Sequence, residues 1–98
     1  MLNKFRSEQL DSLFEAILSL ETPEECYMFF EDICTVNEIN SIAQRWEVAK
    51  LLDSSITYND IVKKTKASTA TISRVNKCLI YGAGGYRCIL NKIKKEGK

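Results

Sequence analysis

The stretch from Thr57 to Asn76 constrains the fold most, because it predicts two short helices that meet at a tight corner. Thr57 can cap the first helix, and Asp60 stands three residues later, where a capping box places its acidic partner. That helix carries Ile61 inward and is expected to end near Thr65. The segment Lys66-Ala67-Ser68 then forms the turn of a helix-turn-helix.

The second helix of this corner has one apolar face and one small, polar face. Ser68 is a good cap, and Ile72, Val75 and Leu79 recur at the i, i+3, i+7 spacing of a single buried stripe. The outward positions carry short hydroxyl side chains first and cations further along. A helix that enters a DNA groove has this character, because small residues permit close approach and polar ones donate hydrogen bonds.

We interpret the corner as a reader of double-stranded DNA, with residues 68–77 in the major groove. The alternative is a packing motif, since any two-helix corner in a helical core can show the same apolar spacing. A helical protein–protein interaction module without DNA readout would follow from that alternative. The predicted DNA-contacting residues are Thr57, Tyr58, Lys63, Lys64, Lys66, Ser68, Thr69, Ala70, Thr71, Ser73, Arg74 and Lys77.

Charge is divided unevenly along the chain, although the net charge is only +1. Residues 1–56 hold four Lys/Arg and eleven Asp/Glu, whereas residues 57–98 hold ten Lys/Arg and two Asp/Glu. A basic half that contains the corner favours attraction to phosphates. A merely solvated basic tail would explain Lys92 to Lys98 but not the lysines around residues 63–66.

The 98 residues predict one all-α domain, because a chain of this length holds a single core. Residues 1–53 are predicted to supply dimerisation helices, 57–80 the helix-turn-helix and 86–95 a C-terminal helix. Gly82, Gly84 and Gly85 are expected to end the second helix of the corner and to turn the chain.

Three further helices precede the corner. Apolar residues from Leu10 to Leu18, extended upstream by Leu2 and Phe5, predict the first helix. Thr22 and Pro23 open the second helix. The capped segment Thr35–Glu38 opens a third helix that is expected to run to about Leu52. Residues expected inside are Cys26, Phe29, Phe30, Ile33, Ile39, Ile42, Trp46, Tyr86, Ile89, Leu90 and Ile93, and residues expected outside are Glu38, Asn40 and Gln44.

The first two helices carry more apolar surface than a chain of this length can cover internally. Phe14, Phe29 and Phe30 belong to this surplus. A second copy could cover it, and a symmetric DNA reader gains a second half-site by dimerising. The sequence therefore predicts a homodimer.

Several function classes lack support in this sequence. There is no histidine, and Cys26, Cys34, Cys78 and Cys88 form no C-x-x-C pair, so no metal, cofactor or disulfide is expected. We interpret these cysteines as small buried apolar groups. Neither an activated nucleophile nor a carboxylate pair suggests catalysis. The absence of a long apolar run and of a signal peptide predicts a soluble, cytoplasmic protein without a membrane partner.

From Thr35 to Ile93 the sequence resembles the Trp repressor superfamily, and taken whole it resembles the YerC/YecD-like branch. The residues that carry the resemblance are Thr35-Val36-Asn37-Glu38, Ile42-Ala43-Gln44-Arg45-Trp46, Tyr58-Asn59-Asp60-Ile61 and Ala70-Thr71-Ile72-Ser73-Arg74-Val75. The resemblance implies a DNA-binding regulator whose amino-terminal helices interleave between two subunits. It also implies an effector pocket at Thr35, Arg45, Arg74 and Val75.

Val75 departs from this family pattern, since Trp repressors keep a glycine after the recognition-helix arginine. Its side chain adds three carbons where the family's pocket needs room for an indole, and overpacking of that kind costs about 1–3 kcal/mol. The sequence therefore disfavours tryptophan as a ligand. Arg45 and Arg74 could instead be surface cations that pair with Glu47 or with phosphate.

Overall fold

The computed structural model describes residues 6–96, and every regular element in this range is a helix. The all-α prediction is confirmed. Leu2, Phe5 and Lys98, for which the sequence suggested roles, lie outside the described residues. The helices are α1 (Glu8–Leu18), α2 (Pro23–Ile33), α3 (Val36–Asp53), α4 (Tyr58–Thr65), α5 (Thr69–Tyr81) and α6 (Gly85–Glu96).

Local capping chemistry explains where the early helices begin. Thr22 Oγ1 accepts a hydrogen bond from the Glu25 N–H at 3.1 Å, and Pro23 occupies the first helical turn. At α3, Thr35 Oγ1 accepts from the Glu38 N–H at 3.1 Å, while Glu38 Oε1 accepts from the Thr35 N–H at 2.8 Å. The two reciprocal bonds between Thr35 and Glu38 form a complete capping box. Glu25 instead accepts from the Glu21 N–H, one residue before the cap.

Contacts divide the chain into two compact units, residues 1–39 and 40–98. Within the first unit, neither α1 nor α2 buries a single residue. The expectation of buried side chains there is wrong for this chain, because Cys26 is exposed, Ile33 is 50% exposed, and Phe29 and Phe30 are only partly covered. The apolar stripes exist, but in the part of the chain that the structure describes they are not buried.

The second unit contains the buried core of the chain. Val48 and Ala49 of α3 meet residues of α4, of the following turn and of α5, and the members of this cluster are Val48, Ala49, Ile61, Ala67, Ile72 and Val75. None of the six is more than 2% exposed. Burying one large aliphatic side chain stabilises a fold by about 1.5–3 kcal/mol, so this cluster fixes α4 and α5 on α3.

The connection between α3 and α4 is a hydrogen-bonded helix stop. The Ile56 N–H donates to the Leu51 carbonyl and the Ser55 N–H to the Leu52 carbonyl, both at 3.0 Å, while Ser55 is left-handed at φ 64°. These are the two bonds of a Schellman motif, which satisfies the last carbonyls of a helix. The chain therefore leaves α3 in a defined direction.

Two glycines between α5 and α6 have a steric reason. A Cβ on Gly82 would lie 2.4 Å from the Cys78 carbonyl oxygen, and Gly84 has φ +94°. The predicted helix stop at these glycines agrees with the observed end of α5 at Tyr81. In α6, Leu90 is buried, whereas Ile89 and Ile93 are 42% and 49% exposed, contrary to expectation.

The cysteines do not lie in a core. Cys26, Cys78 and Cys88 are exposed, and Cys34 is partly exposed. The interpretation of all four as buried apolar groups is therefore wrong for this chain. Among residues 6–96, no helix combines the length and apolarity needed to cross a membrane.

Candidate nucleic-acid interface

The first helix of the corner is built as its sequence predicts. Thr57 caps α4, its Oγ1 accepting a hydrogen bond from the Asp60 N–H at 3.2 Å. Ile61 is completely buried and Val62 is partly buried, so α4 presents its other side to solvent. Tyr58, predicted to contact DNA, is 36% exposed.

The turn of the corner is held by the side chain of Thr65. Its hydroxyl donates to the Ile61 carbonyl at 2.8 Å and accepts from the Ala67 N–H at 3.1 Å. Lys66 between them is left-handed at φ 65°, and Ala67 is 2% exposed. The turn is therefore packed and hydrogen-bonded, although none of its residues is glycine.

A residue of α3 completes this arrangement. The side-chain amide of Gln44 donates from Nε2 to the Thr65 carbonyl at 3.1 Å. That carbonyl lies in the last turn of α4, where no backbone N–H of the same helix can reach it. Gln44 was expected to be exposed and is partly buried, so sequence reasoning missed it. Its partner is 21 positions away, and helical periodicity carries no signal for such a contact.

Ser68 starts the second helix of the corner. Its Oγ accepts from the Thr71 N–H at 3.1 Å and lies 3.1 Å from Thr71 Oγ1. Thr71 is consequently only partly exposed, whereas Thr69 and Ala70 are exposed beside it. The amino end of α5 thus presents small side chains on an ordered backbone.

The two faces of α5 differ as predicted. Ile72 is fully buried and Val75 is 1% exposed, while Leu79 is partly buried on the same stripe. On the opposite face, Ser73, Arg74 and Lys77 are exposed. α5 therefore presents hydroxyl groups first and cations one to two turns later.

The cations of the corner have no carboxylate partner within residues 6–96. The ion pairs found there join Lys50 to Glu47 and both Arg87 and Lys94 to Asp53, all on α3 and α6. The corner cations are Lys63, Lys64, Lys66, Arg74 and Lys77, and all five are exposed. Unpaired surface cations can neutralise phosphates without first breaking an internal pair.

The four residues of the implied effector pocket are divided between the two units. Thr35 belongs to the first unit, where its hydroxyl is engaged in capping α3. Arg45 and Arg74 belong to the second unit and are exposed, and Val75 is buried in its core. Glu47, the suggested partner of these arginines, pairs with Lys50 at 3.1 Å instead.

Asp53 forms an ion cluster that the sequence did not suggest. Asp53 is the last residue of α3. Its carboxylate accepts a hydrogen bond from Lys94 Nζ at 2.7 Å and another from Arg87, and its side chain is only 9% exposed. The hydrogen bond from Lys94, followed by that from Arg87, holds the pKa of Asp53 below its ordinary value of 3.8. The cluster ties α6 to the carboxyl end of α3.

An open apolar groove of about 550 Å³ lies beside α6. The ring of Trp46 stacks on Tyr86 with centroids 6.4 Å apart, and Cys78, Ile89 and the loop at residues 82–85 complete the walls. Trp46 was expected inside and is partly buried here.

An all-helical chain that presents a helix-turn-helix with a polar, cationic outer face has the architecture of DNA-binding regulators. The sequence profile of the Trp repressor protein family matches residues 8–94. The chain belongs to this family, as its sequence suggested, and the family indicates a helical DNA-binding regulator.

Individual relatives agree with this assignment. The uncharacterized protein YerC of Bacillus subtilis (strain 168) is 53% identical over 94 residues, which are 96% of this chain and 90% of that protein. The crystal structure of a TrpR-like protein from Eubacterium eligens ATCC 27750 superposes with a TM-score of 0.90 at 53% identity, covering 94% of this chain and 95% of that one. A crystal structure from Staphylococcus aureus gives a TM-score of 0.90 at 50% identity, with 96% and 94% covered. The YerC-like branch is thereby confirmed.

Proposed function

We propose that this chain is a sequence-specific DNA-binding transcription regulator that acts as a homodimer and reads the major groove with residues 68–77. The outer face of α5 carries the proposal. There, small exposed side chains precede Arg74 and Lys77, and the helix itself is held by two residues almost completely buried, Ile72 and Val75. A rigid helix with a polar, cationic outer face suits base readout.

Within this proposal the residues divide by role. Arg74 reaches base edges or nearby phosphates, because it is exposed on the outer face of α5, and Thr71, which is partly exposed at the amino end of the same helix, does so beside it. Lys63, Lys64 and Lys66 contact phosphates and position the corner, as lysines generally do. Thr57 and Ser68 contribute the N-terminal ends of α4 and α5, where backbone N–H groups favour phosphate oxygens.

Dimerisation is supported by the apolar surface that the protomer leaves open. Leu18 is 83% exposed, Met28 62% and Phe14 52%, and neither α1 nor α2 has a buried residue. Exposed apolar surface on this scale marks an interface. A second copy that covers these helices would place two corners on one duplex, about 34–36 Å apart if the half-sites lie one helical turn apart.

Binding to a site selected from random DNA tests the function. A mobility-shift series would compare the unmodified protein with Arg74→Ala, Thr71→Ala and the matched control Lys92→Ala, which also removes one exposed cation. We expect Arg74→Ala and Thr71→Ala to weaken binding by about 1–3 kcal/mol each, the value of a good base contact, and Lys92→Ala to change it much less. Helicity should be unchanged in all variants.

Two results would contradict the proposal. Equal affinity of the unmodified protein for selected and random DNA would show that it has no sequence readout. Unchanged binding in both corner variants would exclude α5 as the reading helix and would favour a packing role for the corner.

A further inference from the structure

The corner of the helix-turn-helix is held by three hydrogen bonds of Thr65 and Gln44. Thr65 takes part in all three bonds. Its hydroxyl donates to the Ile61 carbonyl and accepts from the Ala67 N–H, and its own carbonyl accepts from the Gln44 side chain. Gln44 lies on α3, whose residues Val48 and Ala49 form the core on which α4 and α5 pack. The bonds therefore connect α3, the carboxyl end of α4 and Ala67, the residue that follows the left-handed Lys66.

We propose that Gln44 and Thr65 are positioning residues that set the angle of the recognition helix and thereby the ratio of specific to non-specific DNA affinity. The inference rests on the function proposed above. Phosphate contacts tolerate small changes of helix orientation, because long lysine side chains can follow the backbone, whereas base contacts require a donor at a fixed place. A loosened corner should therefore lose specific binding while it keeps non-specific binding.

The geometry gives a reason why the turn needs this support. Lys66 occupies a left-handed conformation that disfavours a residue with a Cβ. Positions 64–67 also contain no Ser, Asn or Asp, whose side chains commonly stabilise turns by bonding to the nearby backbone. Two hydrogen bonds offset this backbone preference. The Gln44 amide donates to the Thr65 carbonyl just before Lys66, and the Thr65 hydroxyl accepts from the Ala67 N–H just after it. The N-terminal caps of α4 and α5 are made by other side chains, Thr57 and Ser68.

Four variants separate positioning from general stability. Gln44→Met keeps the length of the side chain and removes the donor. Thr65→Val keeps the shape and removes the hydroxyl, while Thr65→Ser retains the hydroxyl as a conservative rescue. Leu90→Val trims a residue that is 5% exposed on α6, outside the corner, and serves as a destabilised control.

The measurement is the ratio of dissociation constants for random and selected duplexes of equal length at one salt concentration, with the melting temperature recorded beside it. We expect Gln44→Met and Thr65→Val to lower this ratio by about tenfold, the contribution of one good base contact, with random-duplex affinity changed less than about twofold. Thr65→Ser and Leu90→Val should keep the ratio of the unmodified protein. Amide exchange at Ala67 should accelerate in Thr65→Val and not in Leu90→Val.

The outcomes distinguish this inference from the proposed function. A ratio that stays unchanged in both Gln44→Met and Thr65→Val overturns the positioning role and leaves DNA readout intact. The positioning role is also overturned if the ratio falls in step with the melting temperature in every variant, Leu90→Val included, because general destabilisation would then explain the loss. A ratio of one in the unmodified protein overturns the proposed function, and the inference with it.

Discussion

Truncating Val75 tests whether the core beneath α5 is as tightly packed as the structure indicates. Val75 is 1% exposed and shares its cluster with Val48, Ala49, Ile61 and Ile72. Val75→Ala removes two methyl groups, worth about 0.8 kcal/mol each in transfer from water. The cavity left in a packed core adds roughly 1 kcal/mol, because neighbours relax only partly.

The expected loss is therefore about 2–3 kcal/mol, a large share of the ~5–15 kcal/mol that stabilises an ordinary domain. Urea denaturation at one fixed protein concentration measures it, since the unfolding of a dimer depends on concentration. Val62→Ala is the matched control, because it removes the same atoms from a partly buried position on α4. A loss at Val75 no larger than the loss at Val62 would refute the tight packing of α5 on α3.

Three other predictions concern pH, assembly and ligand. Asp53 has a lowered pKa, so its pairing with Lys94 and Arg87 should stabilise the fold above pH 3.8 and lose this effect as pH falls through the lowered pKa. The stability difference between the unmodified protein and Asp53→Asn should then shrink below about pH 4, and a constant difference in acid denaturation would contradict it. Sedimentation should show a dimer at micromolar concentration, and a folded monomer at every dilution would refute the homodimer. Calorimetry should detect no tryptophan binding by the unmodified protein, whereas Val75→Gly should gain some if the valine alone fills the site; binding at millimolar or better affinity without the substitution would show that the pocket survives.

Local signals were sufficient to predict the helix-turn-helix. The hydroxyl caps at Thr57 and Ser68 each bond within three residues, and Ile72 and Val75 follow the helical period. Such features depend on neighbours in the chain, so the sequence contains them directly. The ends of α4 and α5 fall where the caps and glycines place them.

Burial in the first two helices could not be predicted in the same way. A periodic stripe shows which face of a helix is apolar, but it does not show which chain covers that face. Phe14 at 52% and Ile33 at 50% exposure follow the stripe and are still half exposed among the described residues 6–96. The exposed cysteines Cys26 and Cys88 illustrate the same limit.

Contacts between distant positions were missed for another reason. Gln44 meets Thr65 across 21 positions and Arg87 meets Asp53 across 34. Each of these polar residues resembles an ordinary solvated side chain in its own helix. Only the packing of α3 against the corner and α6 turns them into partners.

These distant contacts bear on how such a regulator could be controlled. In the second unit, Ile72 and Val75 of α5 pack in one cluster with Val48 and Ala49 of α3, and the corner is bonded through Gln44 and Thr65. All of these groups belong to the chain itself. A ligand can shift an equilibrium only if it binds two states with different affinity, so an effector of the proposed regulator would have to strengthen or weaken these bonds. Under the proposed function, a signal that controls DNA binding must therefore act either on the bonds that hold α5 or on the proposed pairing of two copies.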